Sequence, residues 1–381
     1  MSGVKLGEIC DFVNGKAFNA DDWKTSGVPI VRIQNLNDET KPFNYCNSTV
    51  DEKFHVNTGD LLFSWSGTPG TSFGAFIWER GHAYLNQHIF NVKVRHDVDK
   101  RYLFHSLNAS MHLMIDQAHG GVGLQHITKK KLEGIEIALP ELKEQKRIAA
   151  ILDKADSLRR KRQQAIRLAD DFLRAVFLDM FGDPVTNPKG WPVGTIRDLV
   201  ASANYGTSEK ADETEGQYPI LRMNNLTYEG RLNLSSLKYV DLDEKVADKY
   251  LARKGDLLFN RTNSKELVGK TAVYDRDETM AIAGYLVRVR MNERGNPYYV
   301  SAYLNSTHGK ATLQSMCKSI VGMANINAQE MQNIQIMLPP IDLQDRYANV
   351  VEKMRAIEQT FSQSGEVCDK LSAALSLDLL S

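Results

Sequence analysis

Hydrophobic and polar positions follow two different patterns along this chain. Residues 1 to about 140 alternate short apolar runs with Gly, Asn, Asp and Ser, which predicts strands over 29–33, 60–64, 75–78 and 89–94. Residues 99–118 instead carry the spacing of a helix. After residue 140, and again after residue 341, apolar positions recur three and four apart, so two long coiled-coil helices are predicted over 141–181 and 342–380.

The seam of each long helix follows from that spacing. The first comprises Ile148, Ile151, Ala155, Leu158, Arg162, Ala165, Ala169, Phe172 and Val176. The second comprises Leu343, Tyr347, Val350, Met354, Ile357, Phe361, Ser364, Cys368, Leu371 and Leu375. The first helical segment has ten Lys and Arg against seven Asp and Glu, whereas residues 340–381 have four against seven. This complementarity favours pairing of the two helices, although each surface ion pair adds only ~0.2–1 kcal/mol.

The chain also repeats itself at an offset of about 190 residues. VPIVRIQNL (28–36) recurs as YPILRMNNL (218–226), and GDLLF recurs at 59 and 255. Leu139-Pro140, Gln145 and Arg147 recur as Leu338-Pro339, Gln344 and Arg346, at the start of each long helix. The offset grows from 190 to 199, so the second copy carries small loop insertions. Two related units in one chain mimic a dimer and can bind two different short targets at a fixed separation.

These patterns predict an α+β fold. Two similar mixed α/β globules are expected over 1–140 and 183–339, the second range including a turn-rich linker. Long helices over 141–182 and 340–381 would separate the globules and pack together as an antiparallel coiled coil.

Composition and hydropathy argue against a membrane-spanning or secreted protein. Of the 381 residues, 42% are apolar and 25% are charged, as in ordinary soluble proteins, and the formal net charge is zero. A polyanionic partner would therefore need basic groups gathered on one face. No apolar stretch is long enough to span a membrane, and no signal peptide is apparent. Cys10, Cys46, Cys317 and Cys368 form no metal-binding pattern, which indicates free thiols and a cytoplasmic location.

No catalytic site is predicted. The segment SKELVGKT (264–271) lacks the first glycine of a phosphate-binding loop, and Asn187-Pro188 is followed by Lys189 rather than by the residues of an adenine-methyltransferase motif. Glu141 and Lys143 have the spacing of a nuclease motif but lie at a helix start. The histidines at 82, 88, 119 and 126 form no metal-ligand pattern. We expect neither enzymatic activity, nor a metal, nor a bound cofactor in this chain itself.

Several of these segments resemble the specificity subunit of a Type I restriction–modification enzyme. They are the Leu-Pro-x-x-x-x-Gln-x-Arg helix entrances, the GDLLF strands, residues 151–182 (ILDKADSLRRKRQQAIRLADDFLRAVFLDMFG), and the approaches 121–128 and 320–327. The resemblance implies that each globule is a target-recognition domain reading half of a split double-stranded DNA site. It also implies that the helices form the spacer and dock two methyltransferase subunits, which carry S-adenosylmethionine, and that a restriction (translocase) subunit can join.

Polar residues after the repeated strands are the candidate DNA-binding residues, because Arg suits guanine and Asn or Gln suits adenine. In the first copy they are Arg32, Gln34, Asn35, Ser64, Trp65, Ser66, Asn86, Gln87 and His88. In the second copy they are Arg222, Asn224, Asn225, Asn260, Arg261, Thr262 and Asn263. The repeated Arg32 and Arg222 can equally be structural, each tying a loop by a salt bridge, whereas the unlike tips after GDLLF suit two different readers.

A basic run occupies the middle of the first long helix: Arg159, Arg160, Lys161 and Arg162. It fits phosphate contacts in the spacer or docking of a partner subunit, and it also fits a solvated helix face. Arg162 falls on the seam and needs a partner, for which Glu358 is a candidate. Two other functions stay open at this point: a self-contained methyltransferase or nuclease, and a coiled-coil scaffold that binds only proteins.

Overall fold

The computed structural model describes residues 3–68, 71–95, 97–117, 125–320 and 323–378. The chain divides into two compact units, the first formed by Met1–Arg162 with Ser362–Ser381 and the second by Gln163–Phe361. Each long helix contributes to both units. The four-part division into globules and helices expected from the sequence stays a prediction.

Short strands and helices make up the first unit. Its strands are β1 (Gly3–Lys5), β2 (Cys10–Asn14), β3 (Val28–Val31), β4 (Asn44–Cys46), β5 (His55–Val56), β6 (Leu61–Ser64), β7 (Ser66–Gly67), β8 (Gly74–Ile77), β9 (Ala83–Leu85), β10 (Ile89–Val94), β11 (Gln125–His126) and β12 (Glu136–Ala138). Its helices are α1 (Leu6–Ile9), α2 (Ile33–Asn37), α3 (Lys100–Ala109), α4 (Met111–Gln117), α5 (Lys129–Glu133) and the beginning of α6 (Leu142–Phe181). Ala20–Asp22 and Glu52–Phe54 form short 3-10 helices.

Two four-stranded sheets organise this unit. The order β2-β10-β6-β8 is antiparallel throughout, whereas β4-β3-β9-β5 contains one parallel pair, β3 with β9. Phe12, Phe63 and Phe90 of the first sheet lie in one buried cluster with Leu103 and Leu107 of α3. Short ladders join β1 to β12 and β7 to β11. The sheets therefore bring together strands that are far apart in sequence.

The helix expected over residues 99–118 is divided in the structure. Ser110 separates α3 from α4 with a ψ of 12°, outside the helical range. Asn108 turns its amide toward the sheet, where it bonds both the N–H and the C=O of Ala75. Ser is a weak helix former, and here tertiary contacts decide the break.

The second unit repeats the first. Its strands are β13 (Val193–Thr195), β14 (Val200–Tyr205), β15 (Tyr218–Leu221), β16 (Lys238–Val240), β17 (Leu251–Ala252), β18 (Leu257–Asn260), β19 (Thr262–Asn263), β20 (Thr271–Val273), β21 (Met280–Ile282), β22 (Leu286–Met291), β23 (Lys318–Ile320), β24 (Met323–Asn325) and β25 (Gln335–Met337). Its helices are α7 (Glu244–Tyr250), α8 (Pro297–Asn305), α9 (Thr307–Met316), α10 (Ala328–Gln332), the end of α6 and the beginning of α11 (Ile341–Asp378). Ile196–Leu199 and Met223–Asn225 are 3-10 helices. The sheet orders β14-β22-β18-β20 and β16-β15-β21-β17 match those of the first unit, with β15 and β21 parallel.

The repeated GDLLF motif is a turn followed by a buried strand. Gly59 and Gly255 have φ of 91° and 90°, a conformation that favours glycine. The following aspartates, Asp60 and Asp256, each accept a hydrogen bond from the backbone N–H three residues earlier, at 2.9 Å. The motif therefore records a turn needed in both copies, and by itself it carries no binding chemistry.

The repeated glutamine at each helix entrance is also structural. Gln145 is buried, accepts from Asp99 N–H at 2.8 Å and donates to the carbonyls of Asp97 and Pro140. In the second unit Gln344 makes the same three bonds, to Asn296 N–H and to the carbonyls of Arg294 and Pro339. One amide thus ties the start of each long helix to the loop before α3 or α8 in its own unit.

Both long helices are confirmed, over Leu142–Phe181 and Ile341–Asp378. Within the second unit they run antiparallel, because Phe177 and Phe181 near the end of α6 pack on Tyr347 near the start of α11, with ring centroids 5.7 and 5.6 Å apart. Phe177 also stacks on Tyr299 of α8. A single cluster therefore joins both helices to this globule.

The prediction of the helix seam is wrong for several residues, which are exposed instead of buried. Ile151, Leu158 and Phe172 are 37–49% exposed, as are Ile357 and Phe361 at 48%. Leu152 and Leu173 turn inward instead. A helix with 3.6 residues per turn drifts by about 20° per heptad from a strict 3.5 repeat, so the buried face moves off the predicted positions. The side chains of Ser364, Cys368, Leu371 and Leu375 lie outside the part of the chain that the structure describes.

Candidate nucleic-acid interface

Trp65 and Arg261 occupy the same backbone position in the two units. Each directly follows the buried GDLLF strand. Trp65 N–H donates to His88 O, and Arg261 N–H donates to Tyr285 O. Trp65 O accepts from Ile127 N–H at 3.1 Å, and Arg261 O accepts from the equivalent Ile326 N–H at 2.9 Å. The duplicated fold thus presents an indole in one unit where it presents a guanidinium in the other.

Aromatic and polar groups surround the half-buried Trp65. Its indole N–H donates to Asn14 Oδ1 at 3.3 Å and to Gln87 O at 3.2 Å. The rings of His88 and His126 lie 5.2 and 6.2 Å from it. Burial, together with the charge of His126, lowers the pKa of His88 below its ordinary value of 6.5. The lowered pKa favours the neutral form of His88, and the cluster presents flat rings beside hydrogen-bonding groups.

The corresponding cluster of the second unit is cationic. The guanidinium of Arg261 lies 4.8 Å from the centre of the Tyr205 ring and donates to Asn325 Oδ1 at 3.4 Å. Its Nε is buried, and no group of the described residues accepts a hydrogen bond from it. Across the described residues no carboxylate lies within 4.0 Å of Arg261. Tyr285, which corresponds to His88, is 51% exposed. The guanidinium consequently keeps donors available for an external acceptor.

Sequence reasoning missed five members of these clusters: Asn14, His126, Tyr205, Tyr285 and Asn325. Asn14 and Tyr205 correspond by sheet register, since they lie opposite Phe90 and Val287 respectively. His126 and Asn325 belong to the approaches 121–128 and 320–327, so the repeat itself was a usable signal. His119, residues 121–124 and residues 321–322 lie outside the described residues.

The other residues after GDLLF are largely engaged within the protein. Ser64 and Asn260 are fully buried, and the Ser64 hydroxyl donates to Ser66 O. Thr262 is buried beside Asn325, while Asn263 accepts from Ser264 N–H at 2.9 Å. These side chains shape the strand ends of their own units.

Asn35 and Asn225 brace their loops. Each is buried, and each side-chain oxygen accepts from the backbone N–H of the arginine three residues earlier. The amide of Asn35 donates to Lys41 O and Pro42 O, and that of Asn225 donates to Asn233 O and Ser236 O. With both ends engaged, neither amide is available to a base edge in this conformation.

Arg32 and Arg222 tie their loops by hydrogen bonds, and no carboxylate of the described residues forms a salt bridge with either of them. Arg32 donates to Asn44 Oδ1 at 3.0 Å, and its guanidinium lies 4.6 Å from the centre of the Trp23 ring. Arg222 donates to Ser236 O at 3.2 Å, while its buried Nε has no hydrogen-bond acceptor within the part of the chain that the structure describes. Their neighbours Gln34 and Asn224 are exposed.

The remaining candidates of the first unit lie next to Trp65. Asn86 and Gln87 are half-buried, and Gln87 Nε2 lies 3.2 Å from His88 Nε2. The structure therefore brings Trp65, Gln87 and His88 into one cluster.

The basic run of α6 is mostly exposed. Arg160 and Lys161 are exposed, and Arg159 pairs with Asp156 at 2.8 Å. Arg162 is half-buried. Glu358, the partner suggested for Arg162, binds Arg231 instead, at 2.6 Å.

Within the ranges that the structure describes, no group of three or more His, Cys, Asp or Glu side chains is placed to hold a metal. No described helix is long and apolar enough to cross a membrane. Cys10, Cys46 and Cys317 are free thiols.

The fold and the site define a class of protein. Two copies of one unit, each built onto long helices and presenting unlike side chains at one shared position, are suited to recognising two different targets. Residues 1–168 and 188–363 match the family model described as Type I restriction modification DNA specificity domain, and the chain belongs to this family.

Individual relatives agree with this family. The chain is 23% identical to the specificity subunit of the Type I restriction enzyme EcoBI from Escherichia coli, over 98% of this chain and 81% of the relative. It is 23% identical to the EcoKI specificity subunit of E. coli strain K12, over 68% of this chain and 58% of the relative. A crystal structure of the S subunit of a Type I system from M. genitalium has the same fold, with a TM-score of 0.66 at 13% identity, covering 100% of this chain and 96% of that one. The expectation of a non-catalytic specificity subunit with an α+β fold is confirmed.

Proposed function

We propose that this chain reads a bipartite, asymmetric double-stranded DNA site, one half with each unit, and positions methyltransferase subunits of a Type I restriction–modification complex over it. The catalytic chemistry, with S-adenosylmethionine, belongs to those partners. A restriction subunit can join the same complex.

One observation carries this proposal: Trp65 and Arg261 share a backbone position but not a chemistry. A guanidinium without an acidic partner suits the O6 and N7 acceptors of guanine. An indole packed against the rings of His88 and His126 suits apolar contacts, such as the methyl group of thymine, and hydrogen bonds to bases. Two units with the same fold but different side chains at this position would recognise two different half-sites. The complete DNA site would then be asymmetric.

Exposed apolar residues on the long helices support partner docking. Leu168, Phe172 and Leu178 of α6 and Ile357 of α11 are 48–60% exposed within the second unit. A cavity of about 530 Å³ in the same unit is lined by Leu173, Phe177, Tyr298 and Val351, among others. Apolar surface left open on a soluble protein marks interaction sites, and we assign this surface to a methyltransferase subunit. The basic run Arg159–Arg162 remains the candidate for contacts with spacer phosphates or with a partner subunit.

The test is reconstitution with purified methyltransferase subunits, S-adenosylmethionine and a random DNA library, followed by sequencing of the methylated products. We expect one split motif with a constant gap, obtained only when the chain and the methyltransferase subunits are both present. Methylation by the chain alone would indicate a self-contained enzyme. Assembly of a complex without any sequence preference would indicate a protein scaffold, and either result would overturn the proposal.

A further inference from the structure

One loop of the second unit is longer than its counterpart in the first. Residues 222–237 connect β15 to β16, whereas residues 32–43 connect β3 to β4, a difference of four residues. The extra length forms a small turn, in which Thr227 N–H donates to Arg231 O at 2.9 Å and Arg231 N–H donates to Thr227 Oγ1 at 3.1 Å. We call residues 227–231 the arm.

The arm ends in an arginine that holds both long helices. Arg231 Nε and Nη2 donate to the two carboxylate oxygens of Glu358 on α11, at 3.1 and 2.6 Å. Its Nη1 lies 2.8 Å from Asp170 Oδ1 on α6. All three side chains are at most 24% exposed. A bidentate, partly desolvated pair restricts orientation far more than a surface ion pair does.

Further contacts fix the arm in place. Gly230 O accepts from Arg355 Nη2 of α11 at 2.9 Å. Gly230 itself has a φ of +82°, and a Cβ there would lie 2.5 Å from Asn305 Nδ2 and 2.9 Å from Thr271 O. The arm therefore fits between α8 and α11 only with glycine at this position. These contacts anchor it to the globule and to the helix at the same time.

The pKa shifts and the geometry together show which carboxylate, Glu358 or Asp170, holds Arg231 more strongly. Burial lowers the pKa of Arg231, but the hydrogen bonds that Arg231 donates to Glu358 and the charges of Asp170 and Glu358 raise it by more, so it stays a cation. Burial raises the pKa of Asp170, and the attraction of Arg231 offsets only part of that change. Glu358, held in bidentate geometry, is the stronger anchor.

We propose that Arg231 is a positioning residue: by clamping the second globule to both long helices, it sets the gap that the complex accepts between the two half-sites. This inference rests on the function proposed above. Each added base pair turns one half-site about the DNA axis by about 34–36°. A globule that is held at a fixed angle to the long helices therefore meets its half-site correctly at only one gap length. A loosened globule can follow such a turn, so losing the clamp should relax the gap without changing the bases read.

The experiment uses the reconstituted complex with Arg231→Met, which retains much of the apolar stem and removes the charge. A library carrying the two wild-type half-sites, with gaps from two base pairs shorter to two longer than the wild-type optimum, measures gap preference by methylation. We expect the preference for the best gap over its neighbours to fall severalfold, with both half-site sequences retained. Arg231→Lys should be intermediate, because it keeps the charge and loses the bidentate geometry.

Two comparisons make the result decisive. Arg253→Ala removes an exposed arginine of the second unit that pairs with Asp248, away from Asp170 and Glu358, and should keep the wild-type gap. If Arg231→Met does not fold, the near-isosteric pair Asp170→Asn with Glu358→Gln removes both negative charges that hold Arg231, and it should also relax the gap. A folded clamp variant as selective for the gap as the wild type would overturn the inference and leave the bipartite reading intact. Failure of every clamp variant to assemble would also overturn it, since Arg231, Asp170 and Glu358 would then be needed for folding alone. A wild-type complex that reads no split site would overturn both proposals.

Discussion

Replacing Arg261 by alanine should weaken recognition at one base pair of one half-site. The guanidinium is already oriented by the ring of Tyr205, at 4.8 Å, and by one long hydrogen bond of 3.4 Å to Asn325. Little interaction is therefore lost when it turns to DNA, and most of the ~1–3 kcal/mol of a bidentate arginine–guanine contact should appear as discrimination. That free energy corresponds to about 5- to 140-fold.

The assay is competitive methylation by the reconstituted complex of sites that differ at one base pair each. With Arg261→Ala, the preference at one position of the half-site read by the second unit should disappear while the other positions keep theirs. Arg253→Ala is the matched control, because Arg253 is an exposed arginine of the same unit that pairs with Asp248, away from the candidate cluster.

Two results would refute this reasoning. An equal loss of affinity for all sequences, with a salt slope smaller by about one, would make Arg261 a phosphate contact. Unchanged affinity and specificity would place it outside the interface, despite its unpaired donors.

Three further outcomes are expected. Gln344→Met should lower the free energy of unfolding by about 2–4 kcal/mol in urea titrations, since three buried hydrogen bonds are lost; a change below 0.5 kcal/mol would contradict this, on the scale of an ordinary surface substitution. Because the pKa of His88 is lowered in the folded state, its contribution to stability should be present above pH 6.5 and lost as the pH falls through its folded pKa; melting curves of His88→Gln should lack that component of the pH dependence. Exchange of residues 1–139 for those of a relative should change one half-site in methylome sequencing, and a change in both would contradict two independent readers.

Much of the architecture was predictable, because the spacing of apolar residues predicts the helices and the internal sequence repeat predicts two similar units. Three- and four-residue spacing predicted α6 and α11 to within two residues of their observed ends. The repeated GDLLF and Leu-Pro segments predicted two related units, and the equivalent sheet orders are their structural counterpart. The repeat could not say whether a shared residue binds or braces, and Asn35, Asn225, Gln145 and Gln344 all prove to be bonded within the protein.

The sequence by itself determined where the helices run, that the unit occurs twice, and that its tips differ at Trp65 and Arg261. Only the tertiary structure decided which side chains surround those tips, because sheet pairing brings Asn14 and His126 to Trp65 and brings Tyr205 and Asn325 to Arg261. The same holds for Arg231, whose partners lie 61 residues before it and 127 after it. Periodicity records the face that an element buries, whereas a contact between distant elements depends on how their surfaces and charges fit once they are packed.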